Sequence, residues 1–140
     1  MLSPKKAKYR KWQTGRRGAK RRNAPETRGI TVAFGSFGLK ALTQARLTSN
    51  QLESARRALT RAVGKNAKVW IRVFPDRPYT QKAAEVGMGQ GKGDVQYYVV
   101  DVRPGRMLFE VDGAPEATAR EALRKAATKL PVKGRVVARV

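Results

Sequence analysis

Of the first 28 residues, 11 are Lys or Arg and one, Glu26, is acidic, so this opening segment carries +10 of the chain's +21. It has almost nothing apolar to bury. A segment like that cannot offset its ordering entropy with a core of its own, so alone it is expected to stay disordered. What it can do is neutralise a polyanion, since each phosphate contact releases condensed counterions with a log–log salt slope of roughly −0.7 to −0.9. Tyr9 and Trp12 are interleaved with the cations Lys5, Lys6, Lys8, Arg10, Lys11, Arg16, Arg17, Lys20, Arg21 and Arg22. Flat rings among cations suit stacking on unpaired bases. Residues 1–28 therefore read as an RNA-binding arm, and 29–140 as one globular domain.

Those 112 residues hold 20 basic and nine acidic side chains, so the domain is basic as well. That balance points to nucleic acid rather than to small acidic substrates. No apolar run approaches the ~18 residues of a membrane span, and the start MLSPKKAKYRK has no apolar signal region, so no membrane partner is expected. The chain has no Cys and no His. Disulfides, thiol nucleophiles, zinc knuckles and every Ser-His or Cys-His triad are thereby excluded, and neither catalysis, a cofactor nor a metal is expected.

Residues 29–42 (GITVAFGSFGLKAL) read as an irregular strand or two, bent at Gly35 and Gly38. Thr48 with Gln51 three residues later forms a capping box, and Leu47 with Leu52 a hydrophobic staple. The helix they open has an apolar face of Leu52, Ala55, Leu59, Ala62 and Val63, and Gly64 closes it. Arg57 and Arg61 line another face, as a solvated surface or as RNA contacts. Lys68–Phe74 alternates as a strand, with Val69, Ile71 and Val73 on one face and Lys68, Trp70, Arg72 and Phe74 on the other. Trp70 is read as core and Arg72 as an RNA contact.

Residues 96–103 and 106–112 read as strands joined in a tight hairpin by Pro104-Gly105, which suits a type II turn. A second helix opens with Pro115 as its first residue, carries the stripe Ala119, Ala122, Leu123, Ala126, Ala127 and Leu130, and ends at Pro131. Glu116–Arg120 and Glu121–Lys125 are its four-apart charge pairs. Residues 132–140 form a last strand with Lys133, Arg135 and Arg139 on one face. Helices among mostly hairpin-connected strands make this α+β: two helices on mostly antiparallel strands.

Between Phe74 and Gln96 run 21 residues with no convincing element, net charge zero, and glycine at 87, 89, 91 and 93. A phosphate-binding Walker loop fails, because Gly93 follows Lys92 and Val86 stands five before Gly91. The dinucleotide fingerprint fails at Lys92 and Asp94. Alternating glycine instead makes a backbone able to approach another surface closely, as an exposed finger over 75–95 or as a plain linker.

The segments KVWIRVFPDRPYTQK, VGMGQGKGDVQYYVV, RPGRMLFEVDG and PEATAREALRKAATKLPVK, with the opening P-K-K-x-K-Y-R-K, resemble bacterial large-subunit ribosomal protein sixteen. Archaeal and eukaryotic protein ten belong to the same family. The resemblance covers essentially the whole chain. It implies an α/β-hammerhead-type fold on large-subunit ribosomal RNA, near the A site and the peptidyl-transferase centre. It also implies A- and P-site tRNA and neighbouring ribosomal proteins as partners, late entry in assembly, no enzymatic activity, no homo-oligomer and a place in the ribosome, cytoplasmic or, as the alternative, organellar. By match of motif, Lys5, Lys8, Tyr9, Arg10, Lys11 and Arg16 are the RNA-embedded arm. Arg77 to Met88 are the loop near tRNA; Arg77, Tyr79, Lys82, Met88, Gly89, Gly91 and Lys92 are its candidate site residues. Ala83, Gly87 and Gln90 stand where many relatives have Pro, Arg and Lys. The resemblance thus implies a more mobile, less cationic finger with contacts from its backbone, Lys82 and Lys92. The alternative reading is a basic DNA-binding architectural protein, although no helix-turn-helix or minor-groove wedge is evident.

Overall fold

Helix α1 (Ser49–Val63) begins where its sequence says it must. The Gln51 amide donates to Thr48 Oγ1 at 3.3 Å, and the Thr48 amide donates to Gln51 Oε1 at 2.9 Å. Leu47 and Leu52, the two ends of the staple, are both completely buried. Leu52, Ala55 and Leu59 form the inner face, and the Gly64 amide closes the last turn on the Thr60 carbonyl at 3.1 Å. The computed structural model describes residues 2–13 and 24–140. Arg16, Arg17, Lys20, Arg21 and Arg22 lie outside those residues.

The second helix, α2 (Glu116–Ala127), buries Ala119, Ala122, Leu123 and Ala126. Pro115 is its N-cap with ψ 150°, one residue outside the position expected for it, and its carbonyl accepts from the Ala119 amide at 2.9 Å. The Glu116–Arg120 pair forms at 3.0 Å, whereas Glu121 takes Arg124, three residues on, instead of Lys125. Small residues on α2 let it lie close to α1 and against the sheet beneath.

Seven strands make two antiparallel sheets among the described residues: β1 (Phe37–Ala41), β2 (Ala45–Thr48), β3 (Lys68–Ile71), β4 (Arg77–Gln81), β5 (Asp94–Val102), β6 (Met107–Asp112) and β7 (Gly134–Ala138). The first sheet has the order β3-β6-β1-β7 and the second β2-β5-β4. The architecture is α+β, as the alternation of helices and hairpin-like strands implies. In the first sheet, Val69, Val111 and Phe37 stand in register, as do Ile71, Phe109 and Leu39. Their side chains meet the helices in one core with Leu52, Leu59 and Leu123. The next residues along, Trp70, Glu110 and Gly38, share the opposite, outer face.

The Pro104-Gly105 turn forms, but the hairpin does not. The Arg106 amide reaches the Arg103 carbonyl at 3.2 Å and Gly105 has φ 100°, the left-handed value a type II turn requires at that position. The flanking strands then part into different sheets. At the turn, Ala41 takes the Arg106 carbonyl that would have closed the hairpin, donating to it at 2.9 Å, and accepts from the Gly105 amide at 2.7 Å. The reason lies in β6, which is buried from Met107 to Val111 on both faces and needs β3 and β1 on its two edges.

Two strands went unread in the sequence. β2 is only four residues long and hides just before the helix cap. β4 occupies part of the 75–95 segment read as loop, with Pro78 inside it. Proline cannot donate to a ladder, so it marks either a loop or an edge strand, and β4 is the edge of its sheet. Of the 29–42 stretch only β1 is a strand, and Gly38 lies within it rather than at a bend.

Candidate RNA-binding surface

β4 and β5 pair antiparallel from Arg77↔Val99 to Gln81↔Asp94, so residues 82–93 are the tip of a hairpin. At its neck, a Cβ on Gly93 would sit 2.6 Å from the Gln81 carbonyl carbon, so only glycine lets the two strands come together there. Further down the same pair, Tyr79 and Tyr97 stack with ring centroids 4.8 Å apart and planes 11° apart. At the tip, Gly89, Gln90 and Gly91 all have positive φ, and the Lys82 ammonium donates to the Gly89 carbonyl. Met88 is fully exposed. The tip borders an open cleft of about 620 Å³ between Lys82, Val86, Gln90, Lys92 and Gln96.

Arg77 belongs to the strand rather than to the exposed loop. It is buried, and its guanidinium donates to Asp101 Oδ2 at 3.1 Å. Asp101 on the middle strand also accepts from Arg46 on β2 at 3.0 Å, so one carboxylate ties all three strands of the second sheet. On its other side Arg77 faces the Trp12 ring at 5.8 Å, within cation–π range.

That contact brings the arm to the hairpin. Lys11 Nζ donates to the Lys92 carbonyl at 3.2 Å, and the Lys92 ammonium donates to the Trp12 carbonyl. Lys8 lies 5.5 Å from the centre of the Tyr9 ring. Lys5, Lys6, Lys8, Tyr9, Arg10 and Trp12 remain exposed. Arm and finger, read separately in the sequence, thus form one continuous surface. The two lysines expected to reach outward from the finger, Lys82 and Lys92, turn their ammoniums to the protein's own carbonyls.

The other candidate arginines are elsewhere. Arg57 and Arg61 are exposed on α1, with Lys129 at the edge of the same shallow cleft. Arg57 and Arg56 share Glu53, whose carboxyl is lowered to about 2, first by the hydrogen bond from Arg56. Arg72 faces inward on the outer side of the first sheet, where Nη1 meets Glu110 Oε2 at 2.5 Å. Glu110 is fully buried, and its other oxygen accepts from the Phe34 and Gly35 amides at 3.0 and 3.2 Å. Burial would push this carboxyl up, but Arg72 and the two amides together hold it below the ordinary glutamate value. Neither Asp101 nor Glu110 was singled out in the sequence, because each pairs with residues 24 to 76 positions away.

Among the described residues no three His, Cys, Asp or Glu side chains gather as a metal site, and no helix is long and apolar enough to cross a membrane. A basic α+β domain with a cationic, aromatic-bearing arm defines a structural RNA-binding protein. Residues 4–137 match the model of the family described as Ribosomal protein L16p/L10e, and the chain belongs to that family. It is a structural protein of the large ribosomal subunit, not an enzyme, and acts in translation within the cytoplasmic ribosome, bound to large-subunit RNA and other ribosomal proteins. That membership displaces the DNA-binding alternative.

Proposed function

We propose that the chain docks on large-subunit ribosomal RNA beside the A site and the peptidyl-transferase centre and there helps to position A- and P-site tRNA. Lys5, Lys6, Lys8, Arg10 and Lys11 neutralise phosphates, Tyr9 and Trp12 stack, and the 82–93 finger reaches toward tRNA. The observation that supports this most is the tie between arm and finger through Lys11, Trp12, Arg77 and Lys92. An arm anchored in RNA would thereby set where the finger points. The mechanism is positional: phosphate contacts fix orientation, and the tip meets whatever the RNA brings beside it.

The test is to assemble large subunits with a chain lacking residues 84–91. The shortened protein should still co-sediment with large subunits, while A-site tRNA binding falls severalfold. Unchanged tRNA binding would overturn the role of the finger. In the companion variant, Gln replaces Lys5, Lys6, Lys8, Arg10 and Lys11. Its binding to ribosomal RNA fragments should weaken, with the salt slope shallower by roughly 0.7 to 0.9 for each phosphate left without its cation. An unaltered slope would remove the arm from the interface.

A further inference from the structure

The outer face of the first sheet, opposite the helices, carries an aromatic step that the arm and finger do not explain. Phe34 lies on Trp70 with ring centroids 6.1 Å apart and planes inclined by 22°. Phe34 is 55% exposed, whereas Trp70 beneath it is half-buried. The exposed ring is firmly held. Its own amide donates to buried Glu110 at 3.0 Å, and the Arg72 guanidinium lies 5.1 Å from its centre. Arg72 in turn is bound to Glu110 and to the Thr31 carbonyl. A large apolar ring held through its backbone, by Trp70 and by Arg72, yet more than half open to solvent, is preorganised for a flat partner.

The charges around it favour a polyanion. Lys68 stands two residues before Trp70 on the same strand face and is exposed. Across the sheet, the register Trp70–Glu110–Gly38–Val137 puts Arg135 on this face with Val137. Arg139 follows at the same spacing, and its amide bonds the Ser36 carbonyl at 2.8 Å, two residues from Phe34. Arg135 and Arg139 are exposed, and neither they nor Lys68 forms an ion pair among the described residues. Two carboxylates share this face, and Asp112 stands opposite Lys68 in register and near Arg139, so the three exposed cations outnumber the one carboxylate not spent on Arg72. Glu110 holds Arg72, and Asp112 accepts from Ser36 Oγ at 2.6 Å and the Gly113 amide at 2.9 Å.

From the stacked, half-open ring and the exposed cations around it we infer that the Phe34–Trp70 step is a stacking site for an unpaired RNA base, with Lys68, Arg135 and Arg139 neutralising the flanking phosphates. This rests on the chain's membership of an RNA-binding family but adds a second surface, built on the outer face of the first sheet from residues of neither arm nor finger. It selects single-stranded RNA because a duplex keeps its bases stacked on one another and offers this ring only an edge.

The experiment uses the full chain with Phe34→Leu and Phe34→Tyr, each checked for an unchanged unfolding midpoint. Binding to a uridine oligomer and to an RNA duplex of equal length is measured at matched salt. Phe34→Leu should weaken oligomer binding about tenfold, within the usual range for loss of one base–aromatic stack. It should leave duplex binding within about twofold, and Phe34→Tyr should restore the oligomer. Ultraviolet crosslinking to the uridine oligomer should attach it to Phe34 in the 29–40 peptide. Equal affinity of Phe34→Leu and the unaltered chain for the oligomer, an equal loss on both RNAs, or crosslinks confined to Tyr9, Trp12 and the hairpin would overturn the inference. Failure of the unaltered chain to bind either RNA would instead overturn the RNA-binding reading on which it rests.

Discussion

Each sheet carries one carboxylate that gathers several donors, and the two carboxylates sit in opposite surroundings. Glu110 in the first sheet has no exposed side-chain surface, and it holds Arg72 together with the amides of Phe34 and Gly35. Asp101 in the second sheet keeps 35% of its side chain in water while it holds Arg46 and Arg77. The first sheet is thus a foundation: its inner strand β6 is buried on both faces and helices cover one side. The second sheet is a presenter, three strands wide, with an edge at β4 and a glycine-rich tip beyond it. Similar pairing chemistry yields a rigid base where water is excluded and an adjustable support where it is not.

The largest effect should come from the foundation. Glu110→Ala leaves the Arg72 charge and two amides without their partner, and breaking a buried pair in this way costs about 3–5 kcal/mol. Chemical denaturation measures that loss, and a cost below ~1 kcal/mol would show that water reaches the site. The pH dependence carries the same signature. Because the folded carboxyl lies below its unfolded value of about 4.3, its contribution is complete above that value. It disappears as pH falls through the lower, folded pKa. Glu110→Gln should flatten stability against pH in that acidic window and nowhere above it.

A smaller effect is expected at the hairpin neck. Gly93→Ala puts a methyl group against the Gln81 backbone and should cost about 1–3 kcal/mol, as overpacking against a fixed wall does. Amide exchange should localise the damage to β4 and the start of β5, leaving β6 protected. Spread of the damage into the first sheet would erase the division between foundation and presenter. The smallest effect belongs to Asp101→Asn, at about 1 kcal/mol, because the carboxylate is reached by water and salt and the amide oxygen that replaces it still accepts from buried Arg77. The difference between unaltered and Asp101→Asn proteins should shrink further at high salt. A loss as large as that of Glu110→Ala would mean that the two carboxylates play the same part.

Local signals were legible wherever neighbours in the chain decide the outcome. The Thr48–Gln51 box and the Leu47–Leu52 staple formed as their spacing implies, and the α2 stripe did so as far as Ala127, short of the end expected at Pro131. The α+β class and the opposite faces of β3 were equally readable, although the strand ends at Ile71 rather than Phe74, and Trp70, read as core, lies half-buried on the outer face. Signals that depend on distant partners were not. Pro78 looked like a loop residue because nothing nearby reveals that β5 offers it an edge. Pro104-Gly105 specified a turn but not whether the strands leaving it would pair with each other, and the burial of β6 sent them apart. Arg72 and Arg77 looked like free cations because Glu110 and Asp101 lie 38 and 24 residues away.

By itself, the sequence determined the charge of the arm, the absence of thiol and imidazole chemistry, the places where helices start, and the family, because each depends on composition or on short-range spacing. Only the tertiary structure decided which cations are neutralised internally, that the arm meets the finger through Trp12 and Lys92, and that Phe34 stands open on Trp70. Those outcomes depend on which strand lies beside which, and that is settled by competition for burial across the whole chain.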